Sequence, residues 1–399
     1  MSEISSSPKT GSAVYALAAC VALLIMAEFM PVSLLTPIAQ ALHAKNGMTG
    51  QSVSLSGFFA VGASLALTTL IGRIDRRKIL LGLTVCLLLS QFLMAVAQGF
   101  IVLLLARALL GVCVGGFWSL ATAVIMRLVP APDIPKALGI LYGGQAIAAA
   151  LGAPAGALLG GLMGWRAVFW LLVPLIVATL VWQWRVLPSL PVRAERPGVA
   201  LGVVLGRPFF RKGLVAVMLS WGAAFTMFTY LRPFLEWRNH ADSVLLTVLF
   251  LALGLAGFPG SWAAGRLVRY VRVHRLLFLP TLVMGTSTLA LLTSGASPVF
   301  TAICLLVWGG MNTAMSVLWM SWLADAVQDY SEEAGSLMVA AIQASILSGS
   351  LIGGILLDRF SVTAPFWASV GISAFVALLI GNGKQLIPRQ GSASVDEGR

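Results

Sequence analysis

Leu24-Ile-Met-Ala-Glu28-Phe-Met-Pro31-Val-Ser-Leu-Leu-Thr36-Pro37 closes the first long apolar run of the chain and holds one carboxylate. A run of about 20 apolar residues is long enough to cross the hydrocarbon core of a bilayer. Read as such a span, this stretch sets Glu28 in hydrocarbon or in a cavity between helices. An acid near the bilayer centre costs about 2.5–3.5 kcal/mol on insertion scales, so such residues face a bundle interior and tend to be functional. Two readings stay open from the residues alone. Glu28 is either a proton carrier beside a substrate cavity, or a structural acid that is permanently paired or reaches water at the outer surface.

The composition agrees with a membrane chain. Of 399 residues, 59% are hydrophobic and 10% charged, against about 25% charged in a soluble domain. Mean hydropathy is +0.94. Cys20, Cys86, Cys113 and Cys304 all fall in apolar runs and read as small buried hydrophobes. His43, His240 and His274 stand alone, with no second ligand at metal spacing, so no cofactor is expected. The first run is too long and too Pro-rich near its end for a cleaved signal and reads as a retained span.

Apolar runs lie near 13–36, 51–72, 79–98, 101–125, 137–160, 165–187, 213–235, 244–266, 275–294, 298–321, 334–357 and 363–381. Twelve spans predict an all-α integral membrane protein. Pro188, Pro191, Pro197 and Pro208 with several arginines mark the longest polar interruption. It divides the chain into a first six-helix bundle (1–187), a linker (188–212) and a second six-helix bundle (213–399). A shift of 198 residues lays Gln145-Ala146 on Gln343-Ala344, Gly111 on Gly309 and Gly156 on Gly354, a weak internal repeat.

Lysine and arginine placement sets orientation. With the N-terminus inside, the outer segments hold only Lys45, Arg166, Arg238 and Arg359, while the inner ones hold most of the rest. Both termini are therefore expected in the cytoplasm. The net charge of +12 is topological and scattered over short loops, which argues against nucleic acid as a partner.

The remaining intramembrane polar residues gather on stripes. Arg107, Gly111, Gly115, Trp118 and Thr122 share one helical face of span four. Arg107 is a buried cation whose available acid is Glu28, so the two are expected near each other, directly or through water. Gln145 lies on a small-residue stripe with Ala149, Gly152 and Gly156 in span five. The glycines there read as helix packing. Gln145 reads equally as a ligand contact or a helix-joining amide. Span seven lines up Trp221, Phe225, Phe228 and Arg232; span ten, Trp308, Asn312, Met315 and Trp319; span eleven, Ser336, Ala340, Gln343, Leu347 and Ser350. Aromatics with a few amides would suit a planar polar ligand. Asp75, Arg76 and Arg77 in the loop after span two are candidates for a gate, with Asp75 expected to meet Arg127 or the N-terminus of span eleven near Glu333–Gly335. Neither Gly-x-x-x-x-Gly-Lys-Ser/Thr nor His-Glu-x-x-His nor Gly-x-Ser-x-Gly occurs, which argues against an ATP-driven pump in this chain and against an enzyme.

With these residues in hand, the chain resembles the major facilitator superfamily, of the bacterial drug:proton antiporter type, over essentially all twelve spans. Asp75-Arg76-Arg77 stands where that family has an Asp-Arg-x-Gly-Arg loop, with Ile71 for its leading glycine and the later glycine missing. Arg107-x-x-x-Gly111 matches the span-four motif, whose arginine is associated with proton coupling. Gly152-Ala-Pro154-Ala-Gly156 is a loose version of the antiporter motif in span five. Closer likeness is to bacterial purine ribonucleoside efflux pumps and related sugar efflux proteins. It is carried by Glu28-Phe-Met-Pro-Val-Ser-Leu-Leu-Thr-Pro37, Gly50-Gln-Ser-Val53, Gly115-Gly-Phe-Trp118, Met126-Arg-Leu-Val-Pro130, Pro135-Lys-Ala-Leu138, Gly164-Trp-Arg166, Phe228-Thr-Tyr-Leu-Arg-Pro233 and Ala334-Gly-Ser336.

The resemblance implies a monomeric proton-coupled exporter of the bacterial inner membrane, exchanging protons for purine ribonucleosides and surrounded by lipid. Glu28 and Arg107 would couple the proton. Trp118, Gln145, Phe228, Arg232, Asn312, Trp319 and Gln343 would line the cavity between the halves, with Asp75, Arg76 and Arg127 at a gate. A sugar or multidrug exporter of the same superfamily, or a membrane receptor that binds without transport, are the alternatives.

Overall fold

The computed structural model describes residues 8–70, 74–191, 201–293, 297–327 and 331–387, and among these the regular structure is helical. The first half comprises α1 (Pro8–Ser33), the short α2 (Leu35–Ala41), α3 (Asn46–Leu70), α4 (Arg76–Val96), α5 (Phe100–Leu128), α6 (Ile134–Met163) and α7 (Trp165–Val186). A short α8 (Leu201–Leu205) precedes the second half. That half comprises α9 (Pro208–Phe228), α10 (Leu231–Asn239), α11 (Ser243–Leu255), α12 (Gly257–Leu267), α13 (Phe278–Thr293), α14 (Pro298–Ala326), α15 (Ser331–Arg359) and α16 (Ala364–Ile380). Nine described stretches are long and apolar enough to cross a bilayer, and α9 with α10, bent by 44°, supplies a tenth. Helices α3 and α16 stand where the apolar runs place spans two and twelve.

Two apolar cores form. One draws on residues between Ala13 and Leu190, the other mainly on residues between Val204 and Leu386. The halves are built alike: α1 packs on α6, and α3 and α4 pack on α5, while α9 packs on α15, and α11, α12 and α13 pack on α14. The 198-residue repeat has a physical cause at its glycines. A Cβ on Gly111 would lie 2.2 Å from the Ser56 carbonyl oxygen of α3, and one on Gly309 would lie 2.0 Å from the Leu253 carbonyl oxygen of α11. Equivalent positions lack a side chain because equivalent backbones cross there. Between the halves α3 meets α15 and α6 meets α11, again as equivalent pairs.

Two runs that read as single spans leave helical geometry, whereas the eighth is divided at Ala256 with helical φ and ψ (−61°, −18°) and stays one span. The first is interrupted at Leu34 (φ −110°, ψ 8°) and the seventh at Tyr230 (φ −109°, ψ 18°). Both residues sit in the sparsely populated bridge region. Pro37 and Pro233 follow in the first turn of the next helix, where the absent N–H has no intrahelical partner to lose. Both breaks fall at the charge-poor end of the molecule, beside Lys45 and Arg238, where they turn Thr36, Arg232 and Glu236 toward the line where the halves meet.

Candidate functional site

Arg107 is 1% exposed, within α5. Its guanidinium donates to the Ser56 hydroxyl (3.0 Å), to the Ser52 carbonyl (3.5 Å) and to the Ala27 carbonyl (3.4 Å). Ser52 and Ser56 are one helical turn apart on α3, so that face of α3 holds the cation. The third acceptor belongs to the residue before Glu28, which brings the two charges together as the sequence predicts. They do not form a direct ion pair: among the described residues the only close pair is Arg232 with Glu236. The Glu28 carboxylate is half-buried, feels the Arg107 charge across the interior and accepts no hydrogen bond from the described residues.

Phe29, the next residue, carries the contact to the other half. Its ring meets Phe228 edge-on at 5.8 Å, Phe228 stacks on Trp308 at 5.9 Å, and Phe225 abuts Phe228 at 5.8 Å. Such ring pairs add about 0.5–1.5 kcal/mol each beyond area burial. Gly152 of α6 lies behind this turn of α1, its Cβ position 3.7 Å from the Phe29 Cβ. The small-residue stripe of span five is therefore packing against α1, as its glycines predict.

The other expected cavity residues separate into groups. Trp118 stacks on Tyr142 at 6.0 Å, joining α5 to α6. Gln145 and Asn312 are half-buried, and Gln343 is buried where α15 crosses α3 at Gly57. Two residues lie apart from this layer. Trp319 is fully buried against Trp322 (5.4 Å, edge-on) and its indole N–H has no partner among the described residues; in this conformation it is core. Arg232 lies one turn beyond Phe228 and is consumed by contacts at the charge-poor end.

Those contacts form a seam that sequence reasoning missed. The Arg232 Nε donates to Glu236 at 2.7 Å, its other arm donates to the Ser33 carbonyl, and the Thr36 hydroxyl donates to Glu236 at 2.6 Å. The Gly47 and Met48 amides at the start of α3 donate to the Asp358 carboxylate at 2.9 and 3.0 Å, an acid of one half capping a helix of the other. Between them, fully buried Tyr230 donates to the Ser350 carbonyl at 2.6 Å. Its ring is pressed so closely that a Cβ on Gly50 would lie 2.2 Å from Cε1 and one on Gly353 would lie 2.6 Å from Cε2. The i,i+4 spacing of Arg232 and Glu236 was a legible signal for part of this seam; the cross-half partners of Asp358 and Tyr230 had none.

At the basic end Asp75 does not meet Arg127. Its carboxylate caps α4 through the Arg77 amide (2.8 Å) and accepts from the Leu190 amide (2.9 Å) and the Ser189 hydroxyl (2.5 Å). The Arg76 amide returns a bond to the Leu190 carbonyl at 3.2 Å, and Arg127 donates to the Pro191 carbonyl. Both charges hold the first residues after α7, which compete for them better than they compete for each other. The side chain of Glu333, the other expected neighbour, lies outside the described residues. Partial desolvation raises the Asp75 carboxyl, but the Ser189, Leu190 and Arg77 hydrogen bonds and the Lys78 charge outweigh it and hold the group below the usual carboxylate range. A lowered value means the clasp is fully present above about pH 4 and is lost only as pH falls through that lowered value. Tryptic cleavage within 188–212, taken relative to an unstructured peptide at the same pH, is accordingly expected to be equally slow at pH 6 and pH 8, and several-fold faster in Asp75→Ala at both.

The family model described as Major Facilitator Superfamily matches residues 17–339. A Pseudomonas aeruginosa protein described as "Transcription regulatory protein OpdE" is 40% identical over 380 residues, covering 94% of both chains. A Salmonella paratyphi B protein described as "Purine ribonucleoside efflux pump NepI" is 37% identical over 378 residues, covering 94% of this chain and 95% of that one. Among solved structures, a bacterial homologue of the human lysosomal transporter Spinster, in an inward-facing and occupied conformation, superposes with a TM-score of 0.75 at 13% identity, covering 96% of this chain and 98% of that one. A D-xylose–proton symporter does so with a TM-score of 0.77 at 14% identity, covering 95% of this chain and 99% of that one. At such identities the structural likeness speaks to the fold alone.

Proposed function

We propose that this chain, which belongs to the major facilitator superfamily and is a membrane transporter, exports small polar molecules, foremost purine ribonucleosides, in exchange for protons across the bacterial inner membrane. The observation that carries this reading is the Glu28 carboxylate. It is half-buried in the bundle without a hydrogen bond among the described residues, beside the fixed Arg107 cation and one residue from the Phe29–Phe228 contact between halves. A group so placed can exchange a proton for a ligand, and its charge state bears on how the halves meet. Arg107 biases release of the proton by opposing charge. Phe228, Trp118, Gln145, Asn312 and Gln343 offer stacking faces and amides to a base and ribose, and Trp319 and Arg232 join them only when the halves rock.

The moving bodies are 1–187 and 213–399, with 188–212 as the connection clasped by Asp75, Arg76 and Arg127. The charge-poor end faces outward and the basic end, with both termini, faces the cytoplasm, in keeping with the lysine and arginine asymmetry. The seam of Tyr230, Asp358 and Arg232 is then the closed outer gate of an inward-open conformation, in a protein that works as a monomer.

Counterflow of radiolabelled inosine in proteoliposomes tests the substrate class. Unlabelled guanosine is expected to compete, whereas a pentose and a lipophilic cation are not. Competition by the pentose or the cation alone would move the assignment to a sugar or drug exporter. A second reading, ligand sensing without flux, draws on the regulatory description of the Pseudomonas relative; saturable inosine binding with no counterflow would favour it.

A further inference from the structure

The loop from α12 to α13 repeats the one from α3 to α4: Gly265-Arg266-Leu267-Val268-Arg269 stands on Gly72-Arg73-Ile74-Asp75-Arg76. Val268 takes the place of the acid. That loop match runs at an offset of 193 residues, whereas the 198-residue repeat lays Asp325, near the end of α14, on Arg127, near the end of α5. The charges are thus exchanged between the halves, and the second loop carries Arg266, Arg269, Arg272 and Arg275 with no acid of its own. All four are exposed. Among the described residues none of them is in an ion pair, although Arg266 rests 5.8 Å over the Trp262 ring.

A cavity of about 450 Å³ opens between this loop, the end of α14 and the segment at Leu386. Arg269 and Arg272 line it together with Tyr270, Asp325, the buried His274 and Trp322. The floor is built rather than incidental. The Trp322 indole donates to the Leu386 carbonyl at 2.9 Å and its ring stacks on Phe210 at 6.1 Å. Positive charge on this face follows from topology, but topology does not wall a cavity with it.

Unpaired guanidiniums are forked donors matched to phosphate oxygens. The volume exceeds what a bare phosphate needs and falls within the range of about 300–1,000 Å³ typical of small-molecule sites. Asp325, in the same lining, is a carboxylate that would repel a second anionic group and could accept from a hydroxyl. We propose that this cavity binds a hydroxyl-bearing phosphate ester, with Arg269 and Arg272 on the phosphate, Asp325 on the hydroxyl and Tyr270 against the body, apart from the transport path at Glu28. The ester is either the glycerol headgroup of a phospholipid or a soluble nucleoside monophosphate; the chemistry is shared.

Native mass spectrometry of the full chain in detergent separates the two, with dioleoyl phosphatidylglycerol, dioleoyl phosphatidylcholine and adenosine monophosphate as probes. The wild type is expected to retain phosphatidylglycerol or adenosine monophosphate about tenfold better than Arg269→Gln/Arg272→Gln, in line with the loss of two charge-assisted bonds. Arg185→Gln, exposed on the same face, should match the wild type. Preference for phosphatidylglycerol over phosphatidylcholine, undisturbed by the nucleotide, assigns the lipid source; binding of the nucleotide assigns the soluble one. Equal retention of both anionic probes by wild type and double variant, or equal loss in Arg185→Gln, would overturn the proposal.

Discussion

Glu28→Gln is expected to abolish inosine accumulation driven by a pH gradient while sparing inosine counterflow without one. Glutamine keeps the size and most of the polarity of a protonated glutamic acid but cannot release a proton. Arg107 remains satisfied in the variant, because its acceptors are the Ser56 hydroxyl and the Ser52 and Ala27 carbonyls rather than the carboxylate. The substitution therefore removes coupling without leaving a buried cation stranded. Gradient-driven accumulation should fall by about a hundredfold, toward the upper end of what coupled sites supply, with counterflow within about twofold of wild type. If Glu28 were a purely structural acid, both rates would fall together or neither would change.

The second large effect is expected at the seam. Gly50→Val would place a side chain 2.2 Å from the Tyr230 ring at Cβ alone, and Tyr230 is held by Ser350 and buried on all sides. Overpacking of this kind costs about 1–3 kcal/mol. Here the strain is relieved if the halves part at the charge-poor end, so the cost becomes a shift toward the open seam of about 5- to 150-fold. Val32 is 1% exposed and packs with the core of the second half. A Val32→Cys reporter should therefore react at least about tenfold faster with an impermeant maleimide in the Gly50→Val background. Asp358→Asn, which weakens the cap on α3 without adding volume, should shift labelling the same way by less. Unchanged labelling in both would mean that this seam is not the closing contact.

Composition and run length made the fold legible, because a bilayer leaves a helical chain few ways to satisfy its backbone. The repeat was visible at Gly111 and Gly309, where equivalent backbones must cross. The breaks at Leu34 and Tyr230 were not, since Pro37 and Pro233 are compatible with both a continuous run and a new first turn. Within the site, Glu28 and Arg107 stood out because charge in an apolar run is costly. Arg107 was expected to need an acid, yet one serine hydroxyl and two backbone carbonyls of α3 and α1 serve it, and such acceptors leave no mark in a sequence. Trp319 and Arg232 show the limit of reading a stripe as a wall: the period fixes a face, whereas depth along the helix decides whether that face meets a cavity, a core or a seam. Asp75 and Arg127 looked complementary, but the chain after α7 offered both of them nearer partners.

The most direct test of proton exchange at Glu28 follows protons rather than substrate. Inosine would be added to the purified protein in weakly buffered detergent with a pH indicator, across a pH series, beside Glu28→Gln. Release of protons on inosine binding by the wild type, over a limited pH range and absent from the variant, is the predicted result. Binding by both proteins with the same proton release, or with none at any pH, would contradict it.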